Sequence, residues 1–153
     1  MQALFIEMEG RRYAIDASEI LEVLPMVEYR AAQAGPDWLL GLFNRRGSLV
    51  PLIDLSRIVV GSGAALCMGS RIVVVQLLEG DVLGLLVAEV TGLGNRDFEG
   101  AGAHAGFAFG GAAHLGPTIP EEGGTLQLIR CDRLLADQRR LPLEIALNGD
   151  VSA

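Results

Sequence analysis

Residues 41–55 read Gly41-Leu42-Phe43-Asn44-Arg45-Arg46-Gly47-Ser48-Leu49-Val50-Pro51-Leu52-Ile53-Asp54-Leu55. Two apolar runs, residues 39–43 and 49–53, flank a short polar segment that holds two adjacent arginines and a glycine. Short apolar runs separated by a glycine-containing segment predict two β-strands joined by a tight turn. Such a turn would hold Arg45 and Arg46 out in solvent. This pattern suits an ordinary solvated hairpin, and the alternative is a docking point for an acidic partner protein.

The composition limits the kind of protein that this chain can be. Its 153 residues are 50% hydrophobic but only 5% aromatic, so they can form one domain, or two small halves, around an aliphatic core. The net charge is −7, and the absence of a basic stripe argues against nucleic-acid binding. All 12 basic residues are arginine, which excludes a Schiff-base or P-loop lysine. Arginine suits bidentate contacts with carboxylates, although a codon bias would also produce this composition.

The two cysteines and the N-terminus predict a cytosolic protein. Cys67 and Cys131 lie far apart in no metal-type spacing, so reduced thiols are the simplest interpretation. The chain begins without the basic segment of a signal peptide. Its apolar runs are shorter than the roughly 18 residues that a membrane span needs, so no direct membrane insertion is expected.

Further hairpins and short helices are predicted along the chain. Strands at residues 3–8 and 12–15 flank Glu9-Gly10-Arg11, and strands at 72–78 and 82–90 flank Glu79-Gly80-Asp81. A last strand is expected at 125–131. Each of three aspartates is expected to begin a short helix, and these are Asp16, Asp54 and Asp132. Many short strands with frequent turns favour small barrels or a sandwich.

The sequence offers little support for catalysis. His104 and His114 lie ten residues apart in or beside the Gly/Ala-rich segment 99–113, with no cluster of metal ligands around them. No serine has the context of a nucleophile elbow. Residues 100–106 resemble a dinucleotide-binding loop only loosely. We therefore expect no enzyme activity, no catalytic residue, no metal and no cofactor.

Several motifs resemble the CheW family of chemotaxis adaptor domains over residues 3–136. The motifs are Tyr13-Ala14-Ile15-Asp16, Glu22-Val23, Gly41-Leu42-Phe43-Asn44-Arg45-Arg46-Gly47, Val50-Pro51-Leu52-Ile53-Asp54-Leu55 and the apolar hairpin at 72–90. The resemblance implies a mainly β fold of two intertwined five-stranded SH3-like β-barrels around a shared apolar core. Residues 1–138 would be a single domain of two β subdomains, and residues 139–153 a C-terminal tail.

The resemblance also implies a function without catalysis. CheW-like domains couple the cytoplasmic tip of a methyl-accepting chemoreceptor to the regulatory domain of a CheA-type histidine kinase. Such a protein would be cytoplasmic and recruited to membrane-associated receptor arrays. The alternatives are the same module in a specialised pathway (surface sensing, type IV pili or second-messenger control) and, remotely, a β-barrel that binds a small ligand.

Individual residues take expected roles from the resemblance. Those expected at the receptor surface are Arg46, Arg45, Gly41, Ile20 and Ile72. Those expected at the kinase surface are Val23, Leu24 and Val27, and Asn44 and Gly47 are expected to shape the turn. Core packing remains an equal alternative for Ile20 and Ile72, and a turn or close-packing role is the alternative for Gly41.

The chain also departs from the family. Arg45 stands where an aliphatic residue is usual, which adds charge and indicates a more acidic partner. Further departures from the family are the loop from 100 to 111, Arg130 and Cys131, and all of them concern the second barrel.

Overall fold

The structure, a computed structural model, describes residues 1–100, 103 and 113–135. The expectations for His104, for most of the segment 99–113 and for the tail 139–153 lie outside the described residues. Eleven strands lie within the described ranges: β1 (Gln2–Met8), β2 (Arg11–Asp16), β3 (Ile20–Leu24), β4 (Arg30–Ala31), β5 (Leu39–Arg45), β6 (Ser48–Asp54), β7 (Arg71–Gln76), β8 (Val82–Val87), β9 (Glu89–Asn95), β10 (Leu115–Glu121) and β11 (Gly124–Ile129). One α-helix, α1 (Leu55–Val59), follows β6.

The strands form two mixed sheets. Sheet A has the order β10-β11-β2-β1-β9, and sheet B has the order β3-β7-β8-β6-β5-β4. Sheet A combines strands from both ends of the described chain, whereas sheet B is built from its middle. Most neighbours are antiparallel, but β11 runs parallel to β2 and β6 runs parallel to β8. The two halves are therefore intertwined, since the chain leaves sheet A after β2 and returns to it at β9.

Among the described residues, the core consists of three apolar clusters. The largest lies between them, because it combines Leu4 and Ile15 of sheet A with Val73 and Leu85 of sheet B. A second cluster around Phe5 belongs to sheet A. The third, the sheet B cluster, comprises Phe43, Val50, Leu52, Ile72, Val74 and Leu86. The mainly β fold with a shared apolar core is as expected. Each sheet keeps two edge strands, however, and sheet B has six strands because β4 adds to it.

The predicted strand at 82–90 is two strands that belong to different sheets. β8 ends at Val87, and β9 begins at Glu89 and pairs with β1 of sheet A. Gly92 and Gly94 both lie within β9. An ideal Cβ at Gly94 would lie only 3.2 Å from the Phe5 ring. The small residue at this position therefore lets Phe5 pack across the sheet.

The three short helices differ from one another. Asp54 begins α1, and its Oδ1 accepts a hydrogen bond from Arg57 N at 3.3 Å. After Asp16 there is only a 3₁₀ turn, Ala17–Glu19, because Ile20 already pairs in β3. The expected cap at Asp132 is wrong, since Asp132 lies inside the 3₁₀ helix Cys131–Arg133.

The sequence prediction missed β10 and β4. β10 contains two prolines, which lack the backbone N–H that a central strand requires. It lies at the edge of sheet A, where one side of the strand needs no ladder partner. β4 has only two residues and is held by β5 alone.

Candidate functional site: the arginine turn and the edge of sheet B

A two-residue turn joins β5 to β6. Arg45 pairs with Ser48, so Arg46 and Gly47 form the turn, and their φ angles are 52° and 88°. Positive φ at both central residues is the pattern of a type I′ turn, whose twist matches that of the flanking strands. Asn44 Oδ1 accepts a hydrogen bond from Gly47 N at 2.7 Å. This bond and the paired strands give the turn a defined backbone, with Arg46 at its tip.

The two adjacent arginines have different environments. The Arg45 side chain is 21% exposed, and its Nε and Nη2 both lie 2.6 Å from Glu22 Oε2. The Arg46 side chain is 78% exposed, and its Nη2 lies 3.6 Å from the same oxygen. Arg45 is on β5, where its side chain follows the face of the buried Phe43, whereas Arg46 is in the turn. The expectation that both arginines extend into solvent is therefore wrong for Arg45.

The contact between Glu22 and Arg45 requires sheet B to curl. Glu22 is on β3 and Arg45 on β5, four positions apart in the strand order. In a flat sheet these strands would be roughly 19 Å apart, at about 4.8 Å per strand. A 2.6 Å contact between their side chains means that the two ends of the sheet approach each other. Glu22 and Arg45 thus link the edge strand to the far side of sheet B, beside the sheet B cluster.

The other three residues expected at the receptor surface are buried or half-buried. Ile72 is fully buried in the sheet B cluster, and Ile20 is half-buried against the core between the sheets. Gly41 is buried beside β4, where an ideal Cβ would lie 1.9 Å from the carbonyl oxygen of Arg30. Any effect of Ile72 or Gly41 on a partner would therefore act through the shape of sheet B.

The residues expected at the kinase surface lie on and after β3. Val23 is 41% exposed on this edge strand, whereas Leu24 and Val27 are half-buried against the sheet B cluster. Four further exposed apolar side chains were missed by the sequence interpretation, and these are Leu21, Met26, Tyr29 and Leu49. The sequence signal for this exposed apolar surface was the presence of apolar residues on both sides of Pro25, in a segment without hairpin pairing. Leu49 is 70% exposed and pairs with Asn44 beside the turn.

A separate titratable cluster combines Glu19, near the start of the chain, with Cys131, near the end of the described residues. Burial raises the pKa of the Glu19 carboxyl above its ordinary value of 4.5; the Cys131 thiol, a hydrogen-bond donor, lowers it, and the charges of Asp132 and Asp16 raise it. Among the described residues, Glu19 Oε2 is buried without a hydrogen-bond partner. Burial also raises the pKa of the Cys131 thiol well above its ordinary value, with a further contribution from the Glu19 charge. At neutral pH the buried thiol is therefore protonated.

Within the described residues, no helix is both long and apolar enough to cross a membrane. Within the same ranges, no three or more His, Cys, Asp and Glu side chains are grouped so that they could hold a metal ion.

Comparison with known proteins identifies the fold and then the family. The structure is similar to the crystal structure of the scaffolding protein TtCheW from Thermoanaerobacter tengcongensis, with a TM-score of 0.77 and 20% sequence identity. The match covers 88% of this chain and 91% of that chain, so the two proteins share a fold. A family model, the CheW-like domain, matches residues 2–139. The chain belongs to this family of chemotaxis scaffold and adaptor domains. No curated protein matches the sequence.

Proposed function

We propose that this protein is a non-catalytic adaptor that couples the cytoplasmic tip of a chemoreceptor to a CheA-type histidine kinase. It would act in the cytoplasm, at receptor arrays beneath the membrane. The observation that carries the proposal is Arg46, which a defined turn holds 78% exposed at the end of a β-hairpin. Its guanidinium is available to a carboxylate on a receptor helix, and a charge-assisted contact of this kind fixes the register between two proteins.

Apolar surface beside Arg46 supports a helical partner. Leu49, which is 70% exposed, lies on the strand that leaves the turn. An amphipathic helix buries its apolar stripe against aliphatic side chains, while a charged residue at the rim sets its orientation.

Receptor binding is tested by Arg46→Ala, titrated against a soluble fragment of a chemoreceptor tip from the same organism. The affinity should fall by about 1–3 kcal/mol, as expected for loss of a charge-assisted contact. Arg11→Ala is the matched control, because it removes an exposed arginine from sheet A. An Arg46→Ala variant that binds as tightly as the parent would remove the docking role from Arg46.

Kinase binding is proposed for the edge strand β3 and the segment that follows it, with Val23, Leu24 and Val27 as contacts. Val23 is the residue to change, because it is exposed whereas the other two pack against the sheet B cluster. Val23→Glu should weaken binding to the kinase regulatory domain. Successive side chains on a strand point to opposite faces, so the Glu22 contact should be retained. Equal loss of receptor and kinase binding in this variant would argue against two separate surfaces.

A further inference from the structure

Glu22 is contacted unequally by two arginines. Two nitrogens of Arg45 lie at hydrogen-bond distance from Glu22 Oε2, whereas the Arg46 contact is longer by a full ångström. The Glu22 carboxylate is 20% exposed and lies between the edge strand and the turn. The nearer guanidinium therefore satisfies Glu22, and the more exposed one interacts with it only weakly.

This arrangement controls how strongly Arg46 can respond to an external carboxylate. Among these three side chains, Glu22 neutralises one arginine and one positive charge remains. If residue 45 were aliphatic, Arg46 would be the cation nearest to Glu22, and its flexible side chain could close the 3.6 Å gap. An arginine held by its own chain must break that contact before it pairs with a partner, which lowers the affinity.

We propose that Arg45 determines specificity: it occupies Glu22 and so keeps Arg46 available, which selects a helical partner that presents a carboxylate at the turn. This inference rests on the proposed docking role of Arg46 and identifies the chemistry of the partner. Arg45 acts through Glu22 and needs no contact with the partner itself. A direct contact between Arg45 and the partner is the competing explanation, and the two explanations predict different double variants.

The first test needs no partner. In Arg45→Met, which keeps much of the aliphatic stem, the Arg46 Nε–Hε group should become hydrogen-bonded to Glu22. Its NMR signal should therefore shift, and its exchange with solvent should become slower than in the parent protein. Adding Glu22→Gln removes the carboxylate charge and should restore fast exchange. An Arg46 signal that is unchanged by Arg45→Met would overturn the inference.

The second test measures partner preference. The probes are a soluble chemoreceptor-tip fragment and a copy in which the acidic residues of the tip are replaced by their amides. The parent protein should prefer the acidic fragment, and Arg45→Met should reduce this preference by about tenfold, the effect of roughly 1.4 kcal/mol. The double variant Glu22→Gln/Arg45→Met should recover the preference. Failure to recover it would mean that Arg45 contacts the partner directly.

The controls separate this inference from the proposed function. Arg46→Ala should abolish the preference; if binding is unchanged, the docking role itself fails. If Arg46→Ala weakens binding while Arg45→Met keeps the full preference, only the inference about Arg45 fails. The nearly isosteric variant Glu22→Gln tests the same idea without loss of an arginine. It should retain or increase the preference, and a decrease would contradict the inference.

Discussion

The ring of Phe43 lies over Gly84, so that an ideal Cβ at Gly84 would be 2.4 Å from Phe43 Cε1. Phe43 is 2% exposed in the sheet B cluster and occupies the strand that leads to the arginine turn. We expect Gly84→Ala to lower the free energy of unfolding by about 1–3 kcal/mol, because the ring must move within a closely packed core. Urea-induced unfolding measures this loss.

Gly124→Ala is the matched control for Gly84→Ala. Gly124, like Gly84, is a strand residue and is the first of β11, but among the described residues no atom beyond its chain neighbours lies within 4 Å of the position of its Cβ. The control should change the free energy of unfolding by less than about 0.5 kcal/mol, as is usual at a surface position. Equal effects of the two substitutions would show that strand propensity, rather than the contact with Phe43, causes the loss.

Gly41→Ala should disrupt the β4 edge of sheet B. The new methyl group would lie 1.9 Å from the Arg30 carbonyl oxygen, and backbone atoms cannot yield as a flexible side chain can. We expect a loss of about 3 kcal/mol or more, or detachment of β4. Hydrogen exchange at Ala32 N–H, which donates to Leu40 O at 2.9 Å, reports the detachment.

Gly92→Ala provides the comparison for Gly41→Ala within a paired strand. The nearest atom to its Cβ position is Phe5 Cδ2 at 3.6 Å, an ordinary van der Waals distance. The free energy of unfolding of this variant should lie within about 1 kcal/mol of that of the parent protein, and hydrogen exchange at Ala32 N–H should be unchanged. Fast exchange of Ala32 in both variants would indicate a general loss of stability instead of a local clash.

Glu19 should make the stability of the protein depend on pH. Its pKa in the folded state is raised above 4.5, so folding favours the protonated carboxyl. Its contribution to stability is fully present below this value and is lost as the pH rises through the raised pKa. Glu19→Gln cannot ionise. Relative to the parent protein, the variant should therefore become more stable as the pH rises from about 4 to about 7, as urea unfolding across this range would measure.

A second substitution tests the cause of this pH dependence. The negative charge of Asp132 is one of the groups that raise the pKa of Glu19. Asp132→Asn should therefore bring the folded-state pKa of Glu19 closer to 4.5. In the Asp132→Asn background, Glu19→Gln should then change the pH dependence of the free energy of unfolding by less than it does in the parent protein. A stability difference between Glu19→Gln and the parent that stays constant with pH would show that Glu19 ionises alike in the folded and unfolded states.

The local features of this fold could be predicted from the sequence. The glycine turns at Gly10, Gly47 and Gly80 join strands close to their predicted positions, because turn geometry depends on a few adjacent residues. The aliphatic runs also identified strands of the core, because a short apolar run is itself a local signal of burial. The division of the run at 82–90 between two sheets could not be predicted, since a single residue, Ala88, separates β8 from β9.

The difference between Arg45 and Arg46 also could not be predicted. The two residues are identical and adjacent, and Glu22 lies 23 positions before Arg45 in the sequence. Only the curling of sheet B brings β3 and β5 together, and that depends on the pairing of the three strands that lie between them, β7, β8 and β6. The sequence therefore indicated an arginine site correctly, but which arginine is exposed depends on long-range structure.

The backbone of Arg46 permits a test that separates stability from binding. Arg46 has a φ of 52°, a left-handed conformation that is costly for most residues and less so for asparagine. Asn-Gly is the preferred pair for this type of turn. We therefore expect Arg46→Asn to raise the free energy of unfolding by about 0.5–1 kcal/mol, while it weakens binding to the acidic receptor-tip fragment.

Glu9 provides an internal control for this last prediction, because it has the same φ of 52° and also precedes a glycine in a two-residue turn. Glu9→Asn should give a similar gain in stability, reduced by loss of the exposed hydrogen bond from Ser62 Oγ. It should leave receptor binding unchanged, since Glu9 lies in the turn of sheet A. If both variants gain stability and only Arg46→Asn loses binding, the strained arginine is explained by docking. If Arg46→Asn also retains binding, the strain at position 46 has no functional explanation in this surface.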